Sequence, residues 1–183
     1  MRGVLITGVS TGIGKAIAEE LLNEEYIVIG SVRNLDDSKI LKEKYKNTFF
    51  PVKFDVTKKD EIEVGKKEVE KILSDNDSYL TCVINNAGIA LGGPTRYLDV
   101  DVYRKQFEVN FFGLIEVTKC FLDLLIDNND YKMKNKIINI GSISGKRSYP
   151  FMGPYTASKH ALEGFTDALR RELLIHDVDV VLI

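Results

Sequence analysis

The sequence predicts an α/β protein: one doubly wound parallel sheet of six strands, covered by helices on both faces. Three observations carry this expectation. Short apolar runs of strand length alternate with helical patterns throughout the chain. The first run passes directly into a glycine-rich turn and then into a helix. Glycine, asparagine and charged residues gather where strands end, as they do in open parallel sheets, which bind ligands at the carboxyl ends of their strands.

Composition bounds the reading. At 183 residues the chain is expected to form a single domain over 1–183 with a sizeable core. Apolar residues make up 44% and charged residues 28%, as in ordinary globular proteins. A net charge of -2 supplies neither a basic footprint for nucleic acid nor a polybasic membrane patch. Cys82 and Cys120 lack metal or redox spacing and sit in apolar segments. They read as small core residues, so a reducing cytoplasm is the expected setting. A strand begins almost at the N-terminus, leaving no room for a signal peptide, and no apolar run is long enough to span a membrane.

Val4-Leu5-Ile6 is a buried-strand signal, followed by the loop Thr7-Gly8-Val9-Ser10-Thr11-Gly12-Ile13-Gly14 and a helix from Lys15 to Asn23. Strand, glycine turn and helix together form a cradle for a dinucleotide. Gly8 permits the tight turn, Gly12 lets the backbone approach a pyrophosphate, Gly14 allows close helix packing, and the helix N-terminus supplies amide donors. Tyr26 to Ser31 is the second strand. A carboxylate about 20 residues past the glycines would bind the adenosine ribose hydroxyls. That place holds Val32, with Arg33 and Asn34 after it. A guanidinium there favours a 2′-phosphate, hence NADP over NAD, with NAD still possible.

Asp36-Asp37-Ser38 is expected to cap a helix reaching Tyr45, and Phe49 to Phe54 alternates as the third strand, closed by Asp55-Val56-Thr57. Lys58 to Leu73 reads as a charged amphipathic helix. Leu80 to Ile84 is the fourth strand and ends in Asn85-Asn86-Ala87-Gly88; Gly92-Gly93-Pro94 marks a loop. Val102 to Ile126 carries a helical pattern interrupted near Asn110 and Gly113. A loop is expected at Asn128-Asn129-Asp130, and Lys136 to Ile140 is the fifth strand. Pro150 and Pro154 fence a loop before a helix that runs to His176, and Val178 to Ile183 is the sixth strand.

The chemistry centres on Tyr155-Thr156-Ala157-Ser158-Lys159. Residues four apart on a helix share a face, so an ammonium can sit near a phenol and favour phenolate. Such a phenol can take a proton from an alcohol or return one to a carbonyl oxygen. Ser142, just past the fifth strand, is placed to hydrogen-bond the same oxygen. Ser144 is expected to cap the loop instead, and His160, next to Lys159, to face away from it.

These residues resemble the short-chain dehydrogenase/reductase family, in its ordinary, non-extended branch, over essentially the whole chain. The loop from Thr7 to Gly14 is similar to that family's cofactor loop, Asn85-Asn86-Ala87-Gly88 to its sheet-steadying motif, and Asp55-Val56 to the pair beside the adenine ring. Asn110, Ser142, Tyr155 and Lys159 match its catalytic tetrad. The stretch from Ser142 to Leu173 is more similar to retinol and hydroxysteroid dehydrogenase-like members than to acyl-carrier reductases. The resemblance implies a Rossmann-type NAD(P)-binding domain and an oxidoreductase acting on a small alcohol or carbonyl compound, as a homodimer or homotetramer. It implies Tyr155 as general acid/base, Lys159 as its cationic partner and a ribose contact, Ser142 as the group orienting the substrate oxygen, and Asn110 as the holder of a water. Members of the family continue past the sixth strand with a substrate-covering segment and a further strand. The chain is therefore expected to be truncated before the usual seventh strand. Two other readings stand beside the enzyme: a nucleotide-binding fragment or sensor without turnover, and an epimerase or dehydratase of the extended branch, whose glycine spacing differs.

Overall fold

The computed structural model describes residues 1–127 and 134–183. The expected loop at Asn128-Asn129-Asp130 lies outside the described residues. Six strands form one parallel sheet: β1 (Arg2–Thr7), β2 (Ile27–Val32), β3 (Phe49–Lys53), β4 (Tyr79–Asn85), β5 (Asn135–Asn139) and β6 (Val178–Leu182). Their spatial order is β3-β2-β1-β4-β5-β6, and every neighbouring pair is parallel. The direction of winding reverses between β1 and β4, which opens a crevice at their carboxyl ends.

Period-2 alternation decides which face each strand residue serves. Leu5, Ile27, Ile29, Val83 and Ile137 enter one core, beneath α3 (Lys59–Asp75), α5 (Gly113–Ile126) and α6 (Gly153–Glu172). Val4, Ile6, Val28, Cys82 and Ile84 enter the other, which packs on α1 (Gly12–Asn23) and α2 (Lys39–Lys44). Each helix buries one stripe; α5, for example, buries Leu114, Val117, Phe121 and Leu125, spaced three and four apart. On the α1 side, a cavity of about 660 Å³ lies toward the amino ends of β1, β4 and β5, over Val4, Cys82, Ile84 and Ile138.

Four local differences from the sequence-based expectations have physical causes. Helix α1 begins at Gly12 rather than Lys15, because the last turn of the glycine loop is already helical. The turn after β2 is capped by Asn34, whose Oδ1 accepts from Asp36 N–H at 3.2 Å; Leu35–Ser38 is then a 3₁₀ turn that leads into α2. The interrupted helix proves to be α4 (Val100–Phe107), a π-helical turn over Glu108–Phe112, and α5. Helix α6 ends at Glu172 and tightens into a 3₁₀ turn, Leu173–His176.

Candidate functional site

The glycine loop is fixed from behind. Gly8 has φ of 73°, a region closed to most side chains, and both Gly8 N–H and Val9 N–H donate to Ser31 O, at 3.1 and 3.2 Å. Asn86 clasps the loop from the fourth strand: its Nδ2 donates to Thr7 O at 2.9 Å and to Gly8 O at 3.0 Å. In return the Thr7 hydroxyl accepts the N–H groups of Asn86 and Ala87, both at 3.0 Å. A Cβ on Gly14 would collide with Gly8 O and the Asn86 amide, so only glycine lets α1 start this close. By contrast, a Cβ built on Gly12 meets nothing within 4 Å, so the loop faces open space there. Thr11 makes no side-chain cap, which leaves the first-turn amides of α1 free to receive an anion.

These parts line a cleft of about 350 Å³ at the β1/β4 crevice. Gly8, Ser10, Thr11 and Ile13 form one wall, Arg33 and Asp55-Val56 the second, and Asn86-Ala87-Gly88 the third. Arg33 is exposed and, among the described residues, has no ion-pair partner. Asp55 keeps one carboxylate oxygen on its own turn, where Oδ1 accepts Thr57 N–H at 2.9 Å and Thr57 Oγ1–H at 2.8 Å. Asn34 is not part of the lining, because its side chain is spent on the cap. Ser31, Phe54, Ile89 and Val109 also line the cleft, and the sequence alone did not single them out. The larger cavity near the amino ends has an apolar floor and lies away from every predicted site residue.

The second group of predicted residues lies on or against α6. Pro154 occupies the first turn of that helix, where its missing N–H costs nothing, and Tyr155 and Lys159 follow on successive turns. The Lys159 ammonium is 5.8 Å from the centroid of the Tyr155 ring and donates to Ile140 O at 2.7 Å, which ties α6 to the end of β5. Lys159 is 9% exposed, and burial pulls its ammonium down from the ordinary lysine range to about 8. Ser142 stands two residues past Ile140. Its Oγ accepts Ser144 N–H at 3.1 Å and so caps the 3₁₀ turn Ile143–Gly145. Capping thus falls to Ser142, whereas the sequence reading gave it to Ser144, which is buried. The reason is the offset: the hydroxyl preceding a turn reaches the N–H two residues on. Because that bond uses only an Oγ lone pair, the Ser142 hydroxyl proton remains free to donate.

Asn110 sits buried in the π-helical turn. Its Nδ2 donates to Ile89 O at 2.9 Å and to Ser158 Oγ at 3.3 Å, while its Oδ1 accepts Ile89 N–H at 2.9 Å. Ser158 Oγ–H donates to Tyr155 O at 2.7 Å, so a short chain of bonds runs from Asn110 to the backbone of Tyr155. His160 Nδ1 contacts Thr156 O of its own helix at 2.9 Å, away from the Lys159 face. Among the described residues no group of acidic, histidine or cysteine side chains could hold a metal ion, and no helix is long and apolar enough to cross a membrane.

Comparison with known proteins gives a consistent answer. The sequence profile of the short chain dehydrogenase family matches residues 2–183. The NADPH-dependent 3-dehydrocapnine reductase of Ornithobacterium rhinotracheale is 43% identical over 183 residues, all of this chain and 64% of that protein. A short-chain dehydrogenase from Streptomyces avermitilis superposes with a TM-score of 0.89 at 27% identity, covering 100% of this chain and 65% of the other. The structure of ElxO with NADP bound superposes with a TM-score of 0.87 at 26% identity, covering 99% of this chain and 71% of the other. The chain thus spans about 64% of the length of the reductase it matches.

Proposed function

Because the chain belongs to the short-chain dehydrogenase family, we propose that it is an oxidoreductase that binds NADP in preference to NAD and interconverts a secondary alcohol with a ketone or aldehyde. One observation carries this reading: a single cleft joins the glycine loop, Arg33 and Asn86-Ala87-Gly88 at the strand ends, on the side of the sheet where Ser142 leaves β5. The cleft fits a dinucleotide. Its loop is open at Gly12, its helix amides are uncapped, and its one exposed guanidinium suits a 2′-phosphate. The NADPH dependence named for the 43% identical reductase agrees with that cofactor.

In this reading Gly8 to Gly14 and the start of α1 hold the pyrophosphate, Arg33 the 2′-phosphate, Asp55-Val56 the adenine side and Asn86 to Gly88 the ribose side. A bound nicotinamide supplies hydride exchange with the substrate carbon. Tyr155 Oη gives a proton to the substrate oxygen in reduction, or takes one in oxidation. Lys159, whose ammonium burial pulls down to about 8, stands one helical turn from Tyr155 and reaches the cofactor ribose. The Ser142 hydroxyl donates to the same substrate oxygen. Asn110 orders the segment after β4 and supports a water beside Lys159. The two free cysteines fit a reducing, cytoplasmic setting.

The test is Tyr155→Phe. The ring still packs and only the transferable proton is lost, so turnover should vanish while NADPH affinity stays within a few-fold. Retention of more than about a tenth of the wild-type rate, a barrier change under roughly 1.4 kcal/mol, removes Tyr155 as proton carrier. A wild-type chain that binds NADPH but turns over no alcohol or carbonyl compound would favour the nucleotide-binding reading.

A further inference from the structure

We propose that Gln106 is a positioning residue for this site: it holds a strap, Ile89–Leu91, against α4 at the mouth of the cleft. The proposal rests on the oxidoreductase reading above. Gln106 is 0% exposed and is the only residue of α4 that is buried. An inward position on an amphipathic helix ordinarily carries an apolar side chain, so a buried amide there needs partners. It has two. Gln106 Nε2 donates to Ile89 O at 2.7 Å, and its Oε1 accepts Leu91 N–H at 2.7 Å. One turn further on, Asn110 does the same to Ile89 alone, donating to its carbonyl and accepting its N–H, both at 2.9 Å. The backbone of the strap therefore pairs with two side-chain amides much as a strand pairs with its neighbour.

The strap is also held at its far end. Gly93 N–H donates to Phe151 O at 2.6 Å, and Phe151 has φ of 66°, a left-handed conformation that bulky residues rarely take. Phe151 lies four residues before Tyr155. The segment from Gly88 to Gly93 is thus strung from the end of β4 to the entry of α6, with Gln106 and Asn110 fixing its middle. Ile89 is part of the cleft wall. A displaced strap would move that wall and, through Gly93, the turn that delivers Tyr155. Arg33, Asp55 and the glycine loop form the other walls of the cleft, so Gln106 should affect turnover far more than cofactor affinity.

Gln106→Leu keeps the bulk and loses both bonds. Gln106→Glu keeps an acceptor for Leu91 N–H and loses the donor to Ile89 O. Three quantities are read: hydrogen exchange at the Leu91 amide, NADPH affinity by fluorescence titration, and kcat at saturating NADPH. Gln106→Leu should speed Leu91 exchange by about tenfold or more. Both variants should lower kcat by about 10–100-fold, the cost of a small misplacement, with the NADPH dissociation constant within about threefold. Unchanged kcat overturns the proposal even if exchange quickens, since Gln106 would then be only a packing residue. A loss of NADPH affinity parallel to the loss of kcat overturns it too. If Gln106→Leu loses its far-UV circular dichroism, Gln106→Glu decides by the same split between kcat and affinity. If wild type turns over nothing, the oxidoreductase reading fails by itself, and Leu91 exchange alone decides whether Gln106 holds the strap.

Discussion

Lys159 shows at the scale of one residue how burial sets a charge. Its folded-state proton is lost near pH 8, whereas an unfolded lysine keeps its proton to about 10.5. Between those values the unfolded chain binds more protons, so raising the pH favours the folded state. Unfolding free energies measured from pH 7.5 to 10.5 should therefore rise relative to those of Lys159→Met, by about 1–3 kcal/mol across the window. Parallel curves for the two proteins would contradict the burial. Arg33 makes a second, independent claim. Arg33→Ala should weaken NADP by roughly 1.5–3 kcal/mol and leave NAD nearly unchanged, and equal wild-type affinities for the two cofactors would rule the assignment out. Placement was legible in the sequence for the glycines, which fall at the turn into α1, and for Tyr155 and Lys159, which fall one turn apart on α6. Gln106 was not, because a glutamine among Arg104, Lys105 and Glu108 reads as part of a solvated face. Only the fold turns it inward, toward backbone groups that need partners. Phe151 was hidden for a similar reason, since a strained φ leaves no mark on composition.

Among the elements, the joint between α4 and α5 carries most of the local design. Sequence periodicity gave one helix with an interruption near Asn110. The interruption is a π-helical turn, in effect one residue inserted into an α-helix. Upstream of it Gln106 faces the strap; downstream Val117, Phe121 and Leu125 face the core. Without the extra residue the two sets would differ in phase by about 100° and could not both be satisfied. Deleting Phe112, which is 50% exposed, should therefore cost more than about 3 kcal/mol, while Phe112→Ala should cost about 1 kcal/mol. Thermal melts of the two variants make the comparison, and similar losses would mean that the turn has no such role. The fall of the cap to Ser142 and not to Ser144 has the same kind of origin. A single strand end offers two serines, and which one caps depends on backbone direction that no residue pattern specifies.

Taken whole, the molecule was legible where topology leaves little choice. Strands joined by helices must run parallel, and six of them with a glycine loop after the first predict the observed sheet. Phe111, Ile115, Leu122 and Phe165 are half-buried and Phe112 is exposed along α5, its preceding turn and α6, more apolar surface than one inner face requires. Light scattering at micromolar concentration should give a dimer or tetramer and Phe112→Glu should shift it toward monomer; a monomeric wild type refutes the assembly. The strand order also governs how the chain can fold. The central strand, β1, is made first but finds one of its two neighbours only when β4 arrives, with Thr7 meeting Ile84 across 77 residues of sequence. Such distant closures slow the search. Until that closure the glycine loop lacks its Asn86 clasp, so on a growing chain the capacity to hold a nucleotide should arise late, with the fourth strand, and all at once.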